Sequence, residues 1–312
     1  MRYLITGICG FVGGYFVKHL LSKESDAEIY GVDIVPSCQF DINYTCLNLF
    51  DYPAVEKLIE DIKPDYILHL AAMSSVAASW EKPAETFKNN TGVVLNLLEA
   101  VRLKSPGTKM LAVGSSEVYG NSIDERLFTE NMPVNPQSPY AIARVSQEML
   151  CKMYASDYGI NVVMSRSFNH FGPGQSERFA IPSFISQLVK IKQGKQKELH
   201  TGSIEIKRDF SDVRDVVVAY YLILKKAKKG SVYNVCSGTG TQLRHIINLA
   251  ANQLSIFPNI QSDSLRIRAN DAQFIVGDNA KLKKDLGWEP QFKLYQTIAD
   301  TITYMEKGER EC

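Results

Sequence analysis

The chain has 312 residues, a formal charge of +1 and an apolar fraction of 45%. That length suits one large two-part domain or two intimate ones around a substantial core, and the balanced charge argues against a general nucleic-acid binder, which would carry a basic excess. A first strand beginning at residue 2 leaves no room for a signal peptide and no apolar run is long enough to span a membrane, so a soluble cytoplasmic protein with no membrane partner is expected. Its six cysteines form no C-x-x-C pair and its five histidines are scattered, so no metal is expected.

In chain order, residues 2–6 form an apolar run that enters Gly7-Ile-Cys-Gly10-Phe-Val-Gly13 and then an amphipathic segment. This reads as strand, tight turn and helix over 11–23. Glycines at every third position keep the turn free of Cβ atoms, and the helix start presents backbone N–H groups to a pyrophosphate. The spacing Gly-x-x-Gly-x-x-Gly is a variant of the dinucleotide-binding fingerprint. A second apolar segment, 28–33, ends on Asp33, twenty positions after Gly13. A carboxylate there accepts hydrogen bonds from adenosine ribose hydroxyls and repels a 2′-phosphate, which favours NAD(H) over NADP(H).

Further strands are predicted over 65–70, 108–115, 161–167 and 231–236, and helices near 52–62, 84–104, 138–158 and 241–254. Nearly continuous apolar strands alternating with helices imply an α/β fold, a doubly wound parallel Rossmann sheet covered on both faces. After residue 168 the pattern loosens, through Gly-Pro-Gly at 172–174 and a mixed-charge stretch at 207–215, and Gly287-Trp-Glu-Pro290 precedes a last helix. The expected division is a Rossmann domain of residues 1–168 with 212–254, and a smaller, interleaved C-terminal α/β substrate domain of 169–211 with 255–312, its tail a lid over the sheet.

Ligands of such a sheet gather at the carboxyl ends of its strands. Strand 108–115 ends in Ser115, followed by Ser116 and Glu117, and Tyr140 opens a helix on which Arg144 lies four residues on, hence on the same face. A strand-end hydroxyl, a phenol and a cation one turn later make a proton-transfer set for a nicotinamide site. A phenol ordinarily ionises near pH 10, so its use near neutrality calls for a fixed cation in a desolvated place.

Thr6–Gly13, Leu70-Ala71-Ala72, the Ser-Ser-Glu-Val-Tyr-Gly segment at 115–120 and the Tyr140 helix together resemble the extended short-chain dehydrogenase/reductases. The resemblance runs on through Asp278-Asn-Ala-Lys-Leu and Leu286-Gly-Trp-Glu-Pro290. Segments 167–175, 207–215 and 233–238 are similar to those of GDP-6-deoxy-4-keto-mannose reductases. The differently built loop after the Asn-His pair and the arginine-bearing turn after strand two of the related GDP-mannose 4,6-dehydratases are not seen.

This resemblance implies cofactor contacts from Gly7, Gly10, Phe11, Val12, Gly13, Asp33, Asn48, Leu49, Leu70, Ala71, Ala72, Asn90, Tyr140 and Arg144. It makes Tyr140, Ser115, Arg144 and Glu117 the catalytic set, and Ser115, Ser116, Glu117, Asn169, Arg208 and Arg268 the substrate contacts, with both arginines on a diphosphate. The implied activity is NAD(H)-dependent oxidoreduction at C4 of a GDP-sugar, most similar to reduction of a 4-keto-6-deoxyhexose. A 4,6-dehydratase or C4 dehydrogenase with tightly held NAD is the alternative within enzymes, and a dinucleotide-binding protein without turnover is the alternative outside them. Glu117 leaves the first choice open, since it stands where a dehydratase holds its C5 base and also where reductases carry a structural carboxylate. Arg144 departs from the family Tyr-x-x-x-Lys: it keeps the charge, but it is bulkier, planar and no proton relay. A homodimer packed through the helices near 84–104 and 138–158 is also implied.

Overall fold

A strand whose residues are apolar on both faces must be covered on both, and Leu4 and Ile5 of the first strand show how this is met: adjacent in sequence, they point into two different cores. The computed structural model describes residues 1–122, 125–263 and 272–308. Its first half runs β1 (Arg2–Thr6), α1 (Phe11–Lys23), β2 (Glu28–Asp33), β3 (Asn43–Cys46), α2 (Tyr52–Ile62), β4 (Tyr66–His69), α3 (Val76–Glu81), α4 (Pro83–Lys104), β5 (Lys109–Ser115), α5 (Pro139–Ser156) and β6 (Asn161–Ser167). There follow β7 (Asn169–Phe171), α6 (Ala180–Lys192), β8 (Glu198–Thr201), β9 (Lys207–Asp212), α7 (Val213–Lys226) and β10 (Val232–Val235). The chain continues with β11 (Gly240–Gln242), α8 (Leu243–Leu254), β12 (Asn259–Ser262), β13 (Phe274–Ile275), α9 (Ala280–Leu286) and α10 (Leu294–Gly308).

The central sheet has seven parallel strands in the order β10-β6-β5-β4-β1-β2-β3. From β1 the chain winds outward through β2 and β3, then returns to β4 and winds the other way. The crossovers therefore part at the carboxyl ends of β1 and β4, the topological switch point where this architecture leaves a crevice. One face is covered by α1, α7 and α9 through Phe16, Leu20, Val216, Tyr220 and Trp288. The other carries α2, α4 and α5 through Val55, Ile59, Val94, Leu97 and Cys151. Among the described residues no helix is long and apolar enough to cross a membrane.

A third core joins α6, α8 and α10 through Ile185, Leu188, Ile246, Ile247 and Ile298. Beside it lie the strands β11-β9-β13 with β7, and the pair β12-β8. Two segments sit otherwise than the sequence division places them. Helix α8, grouped with the Rossmann part, packs in this third core, because its apolar stripe Leu243, Ile246, Ile247, Ala250 and Leu254 faces α6 and α10. Helix α9 and Trp288, grouped with the substrate part as a lid, bury Leu282, Leu286 and the indole in the first core. The Trp288 indole N–H donates to the Asp215 carbonyl at 3.0 Å, and the Asp215 carboxylate accepts from the Gln291 and Phe292 N–H groups at 3.0 and 2.9 Å. These bonds tie the Gly-Trp-Glu-Pro segment to the start of α7 and so join the two parts.

Candidate active site

The glycine loop closes as the spacing predicts. Gly7 has φ +70 and donates its N–H to the Val32 carbonyl at 2.8 Å, while Gly10 donates to the Gly7 carbonyl at 3.0 Å. A Cβ on Gly13 would lie 2.1 Å from the Ile8 carbonyl oxygen, so the first turn of α1 packs directly on the loop. Gly10 caps α1 without a side chain, and Phe11 and Val12 form its first turn. The N–H groups of that turn and the helix dipole are therefore left for an anion. A cradle that side chains would fill, beside an uncapped helix start, fits a dinucleotide pyrophosphate.

Asp33 ends β2 with its carboxylate at this loop, accepting from the Cys9 N–H at 3.0 Å and the Ile34 N–H at 2.7 Å. Two acceptor positions remain on its oxygens for ribose hydroxyls. Leu70, Ala71 and Ala72 leave β4 alongside, and the Gly7 Cα comes so close that a Cβ there would meet the Ala71 nitrogen at 2.7 Å. Asn90 is buried in α4, and its amide grips the next residue of this segment, accepting from Met73 N–H at 2.9 Å and donating to Met73 O at 3.0 Å. It shapes the segment that would face a cofactor. Leu49 is a core residue between the sheet and α4, and Asn48 caps the Phe50 N–H at 3.1 Å. Both thus help to position the backbone after β3, Leu49 from the core and Asn48 from an exposed place.

At the next strand, Ser115 Oγ caps a short 3₁₀ turn by accepting from the Glu117 N–H at 3.2 Å, which leaves its proton to donate. Glu117 is half-buried in that turn and Ser116 is buried behind it. Tyr140 and Arg144 share one face of α5, the guanidinium carbon 5.2 Å from the phenol ring centre. Arg144 is buried, its Nη1 bonded to the Val113 carbonyl and to Gln147, its Nε without a hydrogen-bond partner. The structure thus brings Ser115, Glu117, Tyr140 and Arg144 to the carboxyl edge of β5, beside the glycine loop.

Three residues escaped the sequence reading. Tyr220 of α7 hydrogen-bonds Ser167 at 2.7 Å, and its phenol, pushed up by burial, feels both Arg144 and Tyr140. Gln147 lies seven residues after Tyr140, a helical spacing that could have flagged it. His69 ends β4 and bonds the Thr6 hydroxyl at 2.7 Å. Burial, and then the Arg144 charge, lower its pKa to about 3.

That shift has a measurable consequence. His69 stays neutral in the folded chain while the unfolded imidazole, with a pKa near 6.5, takes up a proton, so its contribution is complete above pH 6.5 and is lost as pH falls toward 3. Between pH 7.5 and 5.0 the loss is about 2 kcal/mol, at 1.36 kcal/mol per unit. Urea unfolding of wild type and His69→Gln at these two pH values will show their stability difference shift by that amount in favour of the variant at pH 5.0. A pH-independent difference would refute it.

On the substrate side, Asn169 is exposed at the start of β7 and pairs with Phe210 of β9. Arg208, two residues before Phe210, lies on the same face of β9. It is largely buried and donates to the Lys207 carbonyl at 3.0 Å. Arg268 lies outside the described residues. His170 stacks on Phe11, ring centroids 6.4 Å apart, and its Nδ1 bonds the Phe168 carbonyl; burial lowers its pKa. Asp209 is buried beneath the strand, where burial raises its carboxyl to about 6 against the bonds from Ser237, Gly238 and Gly277.

The sequence pattern of the GDP-mannose 4,6-dehydratase family matches residues 4–301. GDP-6-deoxy-D-mannose reductase of Pseudomonas aeruginosa is 32% identical over 312 residues, spanning 99% of either chain. Among solved structures, RMD of Pseudomonas aeruginosa complexed with NADPH superposes with a TM-score of 0.87 at 30% identity, over 98% of this chain and 99% of that one. UDP-glucose 4-epimerase of Thermus thermophilus, complexed with NAD, gives a TM-score of 0.88 at 27% identity, over 98% and 99%.

Proposed function

Because the chain belongs to the GDP-mannose 4,6-dehydratase family, whose enzymes work with a nicotinamide dinucleotide, we propose that it reduces the C4 carbonyl of a GDP-4-keto-6-deoxyhexose with NADH. The observation that carries this reading is the Tyr140–Arg144 pair on α5, tied by Arg144 to the Val113 carbonyl two residues before Ser115 at the carboxyl end of β5. The bound cofactor supplies the hydride. Ser115 donates a hydrogen bond to the sugar oxygen at C4, Tyr140 delivers the proton that this oxygen takes up, and Arg144 keeps a positive charge 5.2 Å from the phenol ring. Asn169 and Arg208 hold the nucleotide diphosphate end, guanidinium to phosphate. The direct test follows absorbance at 340 nm and product mass with GDP-4-keto-6-deoxymannose: NADH consumed and a gain of two hydrogens support the reading. Loss of water from GDP-mannose without net NADH change would replace it with a 4,6-dehydratase in which Glu117 removes the C5 proton, the second reading that Glu117's place beside Ser115 favours.

The preference for NADH rests on Asp33, since a second negative charge from a 2′-phosphate would meet its carboxylate. Asp33→Asn removes the charge and one of the two backbone bonds, a loss common to both nucleotides, and is expected to lower the ratio of NADH to NADPH affinity about tenfold through one fewer charge repulsion. Fluorescence titration with both nucleotides measures it, and a wild type that already favours NADPH would overturn the assignment.

A homodimer through α4 and α5 is part of the same reading. Ile142, Met149 and Met153 form a stripe along α5 at 47, 64 and 40% exposure, beside Leu95 and Leu103 of α4 at 38 and 49%. An apolar stripe of that length on a helix pair suits an isologous contact in which each chain presents the same face. Light scattering should give twice the chain mass for the wild type and once for Ile142→Glu/Met149→Glu; a monomeric wild type would remove the proposal.

A further inference from the structure

The arginine four residues after Tyr140 is held by a partner that the motif does not include. Arg144 Nη1 donates to Gln147 Oε1 at 2.6 Å and to the Val113 carbonyl at 3.1 Å, and Gln147 Nε2 donates to that same carbonyl at 3.1 Å. The three bonds close a ring between one face of α5 and the strand that ends two residues later in Ser115. Arg144 is 5% exposed and Gln147 2%, so water is poorly placed to replace a lost bond. The amide orientation follows from the partners: its oxygen must meet the guanidinium and its nitrogen the carbonyl, and a flip would oppose like groups at both ends.

The chemistry of the ring matters as much as its shape. An ammonium group is round and works from any rotation, whereas a guanidinium is planar and must be held in its plane to serve in the same place. The residues that hold it are an amide and a carbonyl, both neutral. Among the described residues Arg144 has no carboxylate partner, so its orientation is fixed while its charge stays available to Tyr140. Resting on the reading of Tyr140 and Arg144 as the proton-transfer pair, we propose that Gln147 is a positioning residue. It sets Arg144 at the depth and in the plane that let arginine do the work of the family lysine.

Gln147→Met keeps the volume and removes both bonds. Its expected effect is about a tenfold fall in kcat and a similar rise in the NADH dissociation constant, the usual cost of leaving a buried donor unpaired, with KM for the keto sugar unchanged. In an Arg144→Lys background the same substitution should change either quantity by no more than about twofold, because lysine does not use the clamp. Gln147→Glu keeps the contact to the guanidinium, replaces the N–H that meets the Val113 carbonyl with an oxygen, and cancels the charge. The other titratable groups that sense Arg144, His69 of β4 and Tyr220 of α7, are unchanged in it. Its kcat should fall at least as far as in Gln147→Met, with KM for the keto sugar again unchanged, because the guanidinium loses both its hold on the strand and its net charge. Should Gln147→Met fail to fold, this second variant decides alone.

Additive effects of the Met and Lys changes, or a wild-type kcat in Gln147→Glu, would overturn the proposal. NADH titration needs no sugar, so the two readings fail separately. A wild type that binds NADH but reduces no 4-keto sugar refutes the proposed function, while affinity lost in Gln147→Met only with Arg144 present still supports the clamp.

Discussion

Tyr140→Phe is expected to lower kcat for the proposed C4 reduction by about 10³-fold, within the 10²–10⁴ range of general acid–base catalysis, and to leave NADH affinity within about twofold. The phenol ring is buried at the start of α5 and packs beside the Arg144 guanidinium, and phenylalanine preserves both contacts, so the deletion removes the hydroxyl proton and little else. Tyr220→Phe is the control. Tyr220 is a buried phenol that feels the Arg144 charge, but its hydroxyl is engaged with Ser167 at 2.7 Å. A change of less than about tenfold is expected there, of the order of one hydrogen bond. Single-turnover oxidation of bound NADH separates the step from product release. If Tyr140→Phe kept a tenth or more of the wild-type rate, the proton would have to come from elsewhere, and Glu117 would be the group to examine next.

The Rossmann half is legible in the sequence because its signals are local. Strand β1, helix α1 and strand β2 stand at their predicted residues, and β4, β5, β6 and β10 lie within a residue at either end. Parallel strands covered on both faces must be apolar throughout, and glycine spacing marks the one turn that tolerates no side chain. The second part is less legible because its strands are short and two-sided in composition. Strand β9, Lys207 to Asp212, carries Arg208 and Asp209 inward, and only the donors from Ser237, Gly238 and Gly277 make the buried carboxylate tenable. Those partners lie 28 to 68 positions away. The domain assignment of α8 and α9 fails for a related reason: an amphipathic stripe shows that a helix is covered, but not by which core.

The same division runs through the site. Ser115, Tyr140 and Arg144 could be placed because each sits at a strand end or on a helix face whose period is fixed. The side chains that condition them are harder to read, even where, as for Gln147, the helical spacing puts them on the right face. Gln147 is read as a helix residue until Val113, 34 positions back, is seen to share its hydrogen bonds. His69 is one histidine among five until its burial and the nearby guanidinium are known. Asn48 and Leu49 carry the opposite lesson, since proximity in sequence to a cofactor segment does not say whether a side chain faces the ligand or supports the backbone.

Gly13→Ala should be among the costliest single methyl groups that can be added to the described residues. The new Cβ would sit 2.1 Å from the Ile8 carbonyl oxygen and 2.7 Å from its carbon, backbone atoms that cannot rotate aside. Ile8 is itself buried in the first core, so the loop cannot back away without opening the packing of α1 on β1. Relief must come from displacing the helix start, which carries the N–H groups offered to the pyrophosphate. The expected result is a loss of about 3 kcal/mol in unfolding free energy, at the upper end of overpacking costs, and at least a hundredfold loss of NADH affinity from misplacing those donors. Gly107→Ala adds the same methyl where nothing lies within 4 Å and should leave both quantities unchanged. Urea unfolding and NADH fluorescence on the three proteins decide it. Near-wild-type affinity in Gly13→Ala would mean that the helix start is not what holds the dinucleotide, and the glycine spacing would lose its meaning as a cofactor signal.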